Sequence, residues 1–115
     1  MGDLSANFDR SEFRCPHCKR LVGPAQGLVD ALQRLRTAKG AALHIVSGYR
    51  CSAQNRAVGG WVRSHHMTGH AVDIPGSYAS VGAVRAAGFT GAGIRRGRVV
   101  HVEWVPGNAW RTFPD

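Results

Sequence analysis

Acidic residues are scarce in this chain of 115 residues. Seven Asp and Glu face fifteen Lys and Arg, giving a formal charge of +8. Between residues 31 and 114 the only carboxylates are Asp73 and Glu103. Lysine is scarcer still, with two against thirteen arginines. Such a basic balance points to a plain solvated surface or to an anionic partner, either nucleic acid or a cell-envelope polymer. No block of five or six like charges forms a nucleic-acid tail; the densest cluster is GIRRGR at 93–98, so no specific nucleic-acid partner is expected.

Long apolar runs are missing too. Nothing approaches the roughly 18 residues of a membrane span, so no membrane insertion is expected. The opening MGDLSANFDRSEF lacks the basic end and apolar stretch of a signal peptide. Synthesis in the cytoplasm is expected, and an extracellular target would need another route of export. A second CxxC is absent: Cys15 and Cys18 form CPHC, and Cys51 stands in GYRCSAQN. That leaves half of a zinc framework. A structural site from Cys15, His17, Cys18 and Cys51, a disulfide from Cys51 to one of the pair, and free thiols all remain open.

What is present suits one domain over 1–115, with an irregular arm at 1–24. The core must be modest at this size, and fifteen glycines imply many turns. Ala25, Leu28, Val29, Leu32 and Leu35 make an amphipathic stripe, which predicts a helix over 23–40 ended by Gly40. Residues 42–47 read as a strand, 48–69 as mostly loop, 70–74 as a strand stopped by Pro75, 78–88 as a short helix, and 98–105 as the clearest strand. The expected fold class is α+β, with a small antiparallel sheet and flanking helices.

The two isolated carboxylates lie beside histidines. SHHMTGHAVDI (64–74) holds three of the six histidines together with Asp73, and Glu103 follows His101 by two residues. Strand alternation puts Val100, Val102 and Trp104 on one face and Val99, His101 and Glu103 on the other. His101 and Glu103 then project together, about 7 Å apart at Cα. If 70–74 and 98–105 are neighbours, Asp73 converges on His101, and His66 closes over them from the preceding loop. Two imidazoles and a carboxylate suit a zinc ion that keeps one position for water, and a spare carboxylate can accept that water's proton.

These segments resemble a known family. SHHMTGHAVD follows S-x-H-x-x-G-x-A-x-D, VHVEW looks like the downstream H-x-[DE] strand, SGYRCSAQNRAVGG (47–60) resembles the family's S-G-[YF]-R…N…V-G-G segment, and NFDRSEFRCPHC (7–18) resembles the arm of its short phage and prophage members. The family is that of the zinc D-alanyl-D-alanine carboxypeptidases and peptidoglycan endopeptidases, with the hedgehog/DD-peptidase fold. The resemblance implies His66, Asp73 and His101 as ligands of Zn²⁺. It also implies Arg50 near a substrate carboxylate or developing oxyanion, with a structural loop contact as the alternative, and Ser64 as a group that positions substrate or caps its loop. His65 and His70 are left as neighbours that touch substrate or carry protons. Some branches place the general base three residues before the last histidine; here that residue is Arg98, so Glu103 is expected to serve. The implied substrate is bacterial peptidoglycan, cut by a monomeric enzyme of the phage lysis or virion-borne type after release from the cell. The alternatives are a non-catalytic zinc module of the same fold that binds cell wall, and a nucleic-acid-binding zinc knuckle built on CPHC.

Overall fold

A computed structural model describes residues 2–115. The helix expected at 23–40 forms as α1 (Gln26–Lys39), and Gly40 ends it in the left-handed conformation at φ 69°. It buries Leu28, Val29, Ala31, Leu32 and Leu35. Each fully buried leucine contributes about 1.5–3 kcal/mol of hydrophobic stabilisation. The helix expected at 78–88 is the shorter α3 (Val81–Ala86), capped by Ser80 Oγ, which accepts from the Ala83 amide at 3.1 Å.

Four strands, β1 (Ala71–Asp73), β2 (Gly91–Arg95), β3 (Arg98–Glu103) and β4 (Arg111–Pro114), form a sheet in the order β1-β3-β2-β4 among the described residues. Pairing is antiparallel for β1–β3 and β2–β3 but parallel for β2–β4. The fold is α+β as expected, and the sheet is mixed rather than purely antiparallel. Neither β2 nor β4 was expected: β2 is the glycine-rich GAGIR, and β4 is four residues ending in proline.

Three local expectations change. Residues 42–47 are not a strand; Ser47 makes an isolated bridge to Asp73, although Leu43 and Ile45 still point into the core. The 48–69 loop contains α2 (Ser52–Ala57) and a 3-10 turn (His65–Thr68). In β3, Val99 joins Val102 in the core instead of facing the same way as His101. The cause is an irregularity opposite Gly93 and Ile94: His101 pairs with Gly93 and Val99 with Ile94, so Val100 is the extra residue. A bulge of this kind reverses the alternation beyond it.

The arm, described from residue 2 to 24, is irregular as expected, but it adds to the core. Phe8, Phe13 and Cys15 are buried, and Phe8 meets Phe13 edge-on. No described helix is long and apolar enough to cross a membrane.

Candidate active site

The β1–β3 ladder sets Asp73 directly across from His101, and Ala71 across from Glu103. Alternation then carries Asp73, His101 and Glu103 to one face of the sheet. The neighbouring β2 makes room on that face. A Cβ on Gly91 would lie 2.9 Å from Glu103 Cγ, and one on Gly93 would lie 2.8 Å from His101 Cβ. His66 arrives from outside the sheet on the 3-10 turn, which Ser64 starts by accepting from the His66 amide at 3.2 Å. Gly69 ends that turn at φ 76°, a left-handed geometry suited to glycine.

His66 Nε2, His101 Nδ1 and Asp73 Oδ1 are mutually 3.2 Å apart. Groups behind them fix which ring nitrogens carry hydrogen. His66 Nδ1 lies 2.8 Å from the Gly48 carbonyl, so it is the donor nitrogen. His101 Nε2 lies 3.0 Å from Glu103 Oε1, so it donates there. In the neutral imidazoles, three lone pairs therefore meet at one point with no proton between them. Such an arrangement accepts a metal cation, or a proton on one of the rings when no metal is bound. Tetrahedral zinc, bound at roughly 2.0–2.1 Å, separates its N and O ligands by about 3.3 Å, which matches the observed triangle. The donor set fits a zinc ion. The outer contacts to Gly48 and Glu103 are of the kind that orients metal-binding histidines.

Without a metal, the charges compensate one another. Burial disfavours ionisation of Asp73, but hydrogen bonds with His101 and His66 outweigh it and hold the carboxyl well below its usual range. Burial likewise opposes charging of His101, yet Asp73 and Glu103 lift its pKa to about 9. Burial pushes the Glu103 carboxyl up; the hydrogen bond and charge of His101, then the charges of His65 and Arg111, bring it below its ordinary value.

Around the triad lies a cleft of about 340 Å³ that Arg50, Ser64, His65, Glu103, Arg111 and Phe113 help to line. Arg50 donates from Nη2 to Asp73 Oδ2 at 2.6 Å, from Nε to Ser47 at 3.3 Å and from Nη1 to Asn55 at 3.4 Å. Three of the five guanidinium N–H groups are thus taken by the protein. Glu103 is only 2% exposed; its Oε2 lies 3.4 Å from Arg111 and 3.8 Å from His65 Nε2. His70 does not enter the cleft. Contrary to the expectation that it touches substrate or carries protons, it stacks on Trp104 with ring centroids 6.5 Å apart and bonds Thr68 Oγ1 at 2.8 Å, because it precedes β1 on the strand face away from Asp73.

Sequence reasoning missed Arg111, Phe113 and Asn55. Arg111 and Phe113 come in on β4, whose parallel pairing with β2 has no local signature. Asn55 lies on α2 in a segment read as loop, and its Nδ2 donates to the Trp61 carbonyl at 2.6 Å. The one signal for it was the N in SGYRCSAQNRAVGG.

No curated protein matches the chain. Among solved structures, the L-Ala D-Glu endopeptidase ChiX of Serratia marcescens matches with a TM-score of 0.49 and 24% identity, over 73% of this chain and 80% of that one. The model of the family described as peptidase M15 matches residues 6–104. That span takes in the arm, α1, the Arg50 segment, the His66 turn, and both strands carrying Asp73, His101 and Glu103, and on that match the chain belongs to the peptidase M15 family.

Proposed function

We propose that this peptidase is zinc-dependent and hydrolyses peptide bonds in the stems or cross-links of bacterial peptidoglycan. The observation that carries the reading is the triangle of lone pairs from His66, Asp73 and His101, closed at 3.2 Å beside a buried carboxylate in an open cleft. His66 Nε2, Asp73 Oδ1 and His101 Nδ1 would hold the ion. Zinc bound there supplies a Lewis acid that polarises the scissile carbonyl and acidifies water near neutral pH.

The remaining work falls to side chains. Glu103 is ionised at neutral pH, because its pKa lies below the ordinary value. Its Oε1 is occupied by His101, so Oε2 is the oxygen that accepts a proton from the attacking water. His65, 3.8 Å from that oxygen and partly exposed, is placed to pass a proton to the departing amine. Arg50 holds Asp73 in position and lines the cleft, where its two remaining N–H groups are left for a substrate carboxylate or oxyanion. Ser64 shapes the turn that presents His66. The reading leaves His70 out of substrate contact.

Peptidoglycan as substrate is supported by family membership and by the strongly basic surface, which favours approach to anionic envelopes. The likeness of residues 7–18 to the arm of short phage and prophage members also suits a monomeric phage or prophage lysis protein, or a virion-borne one, released onto the wall after synthesis in the cytoplasm. The test is release of new amino groups from purified peptidoglycan. Wild-type protein should release them. Glu103→Gln should retain zinc and lose the activity. Wild-type activity in Glu103→Gln would remove Glu103 from the chemistry.

A further inference from the structure

The three cysteines gather at a second place, which the peptidase reading does not use. Cys15 is buried at 0% exposure and begins a tight turn. The turn is closed by Cys15 N to Arg20 O at 3.0 Å and Lys19 N to Cys15 O at 2.9 Å, with Lys19 left-handed at φ 64°. Cys18 sits within that turn. Cys51 comes from the start of α2, 36 residues along the chain from Cys15. All three sulfurs lie within 4.8 Å of one another. The Cys15 and Cys51 sulfurs are 3.6 Å apart, and His17 Nδ1 is 3.6 Å from Cys51 Sγ.

The spacings of the three sulfurs suit a metal, with His17 beside Cys51 as the nearest fourth donor. Tetrahedral zinc with sulfur at 2.3 Å and nitrogen near 2.0 Å separates two sulfurs by about 3.8 Å and a sulfur and a nitrogen by about 3.5 Å. A disulfide needs sulfurs about 2.05 Å apart and takes only two of the three. The surroundings also favour thiolate at Cys15, whereas at Cys18 the Arg20 backbone contact is outweighed by burial and the neighbouring sulfurs, which push the thiol up. Burial opposes ionisation of Cys15, but the nearby amides of Cys51, Cys18 and His17 bring its pKa down to about 6. Gln54 donates its amide to Cys51 Sγ at 3.4 Å. Arg14 precedes the turn and Lys19 and Arg20 close it, so the local sequence is basic.

We propose that Cys15, Cys18, Cys51 and His17 form a second, structural metal site, taking zinc or a similar thiophilic divalent ion, that clamps the N-terminal arm to the segment carrying Arg50. Loading releases the thiol protons to solvent and involves no redox change. The clamp reaches the active site through short connections. Tyr49 donates its amide to Phe13 O at 2.8 Å, Gly48 O holds His66, and Arg50, next to Cys51, holds Asp73. The site stands apart from the peptidase reading and needs no catalytic activity.

The test is cobalt substitution of the full chain, made metal-free under reductant and titrated with Co²⁺. Thiolate-to-cobalt charge transfer in the near ultraviolet reports sulfur ligation, which imidazoles and carboxylates cannot produce. The band should appear in the wild-type chain and survive in the His66→Ala/His101→Ala double variant, where total bound metal falls from two ions per chain to one. Cys18→Ser, at a partly exposed position, should abolish the band and leave one ion per chain. His17→Ala should lower the affinity of the thiolate site; unchanged affinity would contradict the assignment of the fourth ligand. Absence of the band in the wild-type chain at saturating Co²⁺ would overturn the proposal. So would a Cys15–Cys51 disulfide found by peptide mapping of freshly purified chain. Both results are independent of whether the chain cleaves peptidoglycan.

Discussion

Asp73 and His101 face each other across two antiparallel strands, and Asp73 Oδ1 lies 3.2 Å from His101 Nδ1. The same carboxylate meets His66 with Oδ1 and Arg50 with Oδ2. One aspartate therefore joins the two histidines to the arginine.

Removing Arg50 should loosen this aspartate without unfolding the chain. Arg50→Gln is expected to weaken zinc binding at the His66–Asp73–His101 site by about 10–100-fold, as for other groups that orient metal ligands. Arg50→Lys should recover only part of the loss, because an ammonium cannot reproduce a fork shared among Asp73, Ser47 and Asn55. Zinc titration against a competing chromophore measures both. Wild-type affinity in Arg50→Gln would show that Asp73 needs no such support.

Gly91 should prove more sensitive than its distance from the triad suggests. An added methyl would sit 3.1 Å from Glu103 Oε2 and closer still to Cγ, so Glu103 must move. Gly91→Ala is expected to retain metal and lose hydrolysis on the order of a hundredfold, the cost of a misplaced reacting group. Steady-state rates and metal content, measured together, distinguish this from loss of the site.

The pH dependence of the metal-free protein follows from His101. Its pKa is about 9 in the fold against an ordinary 6.5. A raised pKa means that the charged ring stabilises the fold fully below about pH 6.5 and that this contribution is lost as pH rises through 9. The difference amounts to on the order of 3 kcal/mol. Urea midpoints of the chelated protein should therefore fall between pH 6.5 and 9 more steeply for wild type than for His101→Gln. Because zinc competes with the proton, the stabilisation by added zinc should grow over the same window. Parallel pH profiles for the two proteins would count against the charged His101.

How much of this could be read in the sequence depended on how local each signal was. The stripe from Leu28 to Leu35 specified α1, and the alternation in 99–104 placed His101 and Glu103 side by side. Asp73 and His66 were legible because a basic chain spends few carboxylates and because their spacing resembles the family motif. Only the ladder itself could show that Asp73 pairs with His101 and not with a neighbour. Arg111 and Phe113 were hidden because β4 is short, ends in proline and pairs in parallel with a glycine-rich strand. Val99 was assigned to the wrong face because nothing in RVVHVEW marks Val100 as the bulged residue. Arg50 was expected to face substrate, but most of its hydrogen bonds hold protein groups, a matter of three-dimensional contacts with Ser47, Asn55 and Asp73.

The most direct measurement of the central claim is mass spectrometry of purified muropeptides incubated with the protein. The account predicts fragments whose masses identify one cleaved peptide bond. Their formation should stop with a chelator, resume on adding zinc, and be absent with His66→Ala at any zinc concentration. Cleavage that continues in His66→Ala, or in chelator after bound metal has been shown to be gone, would contradict it.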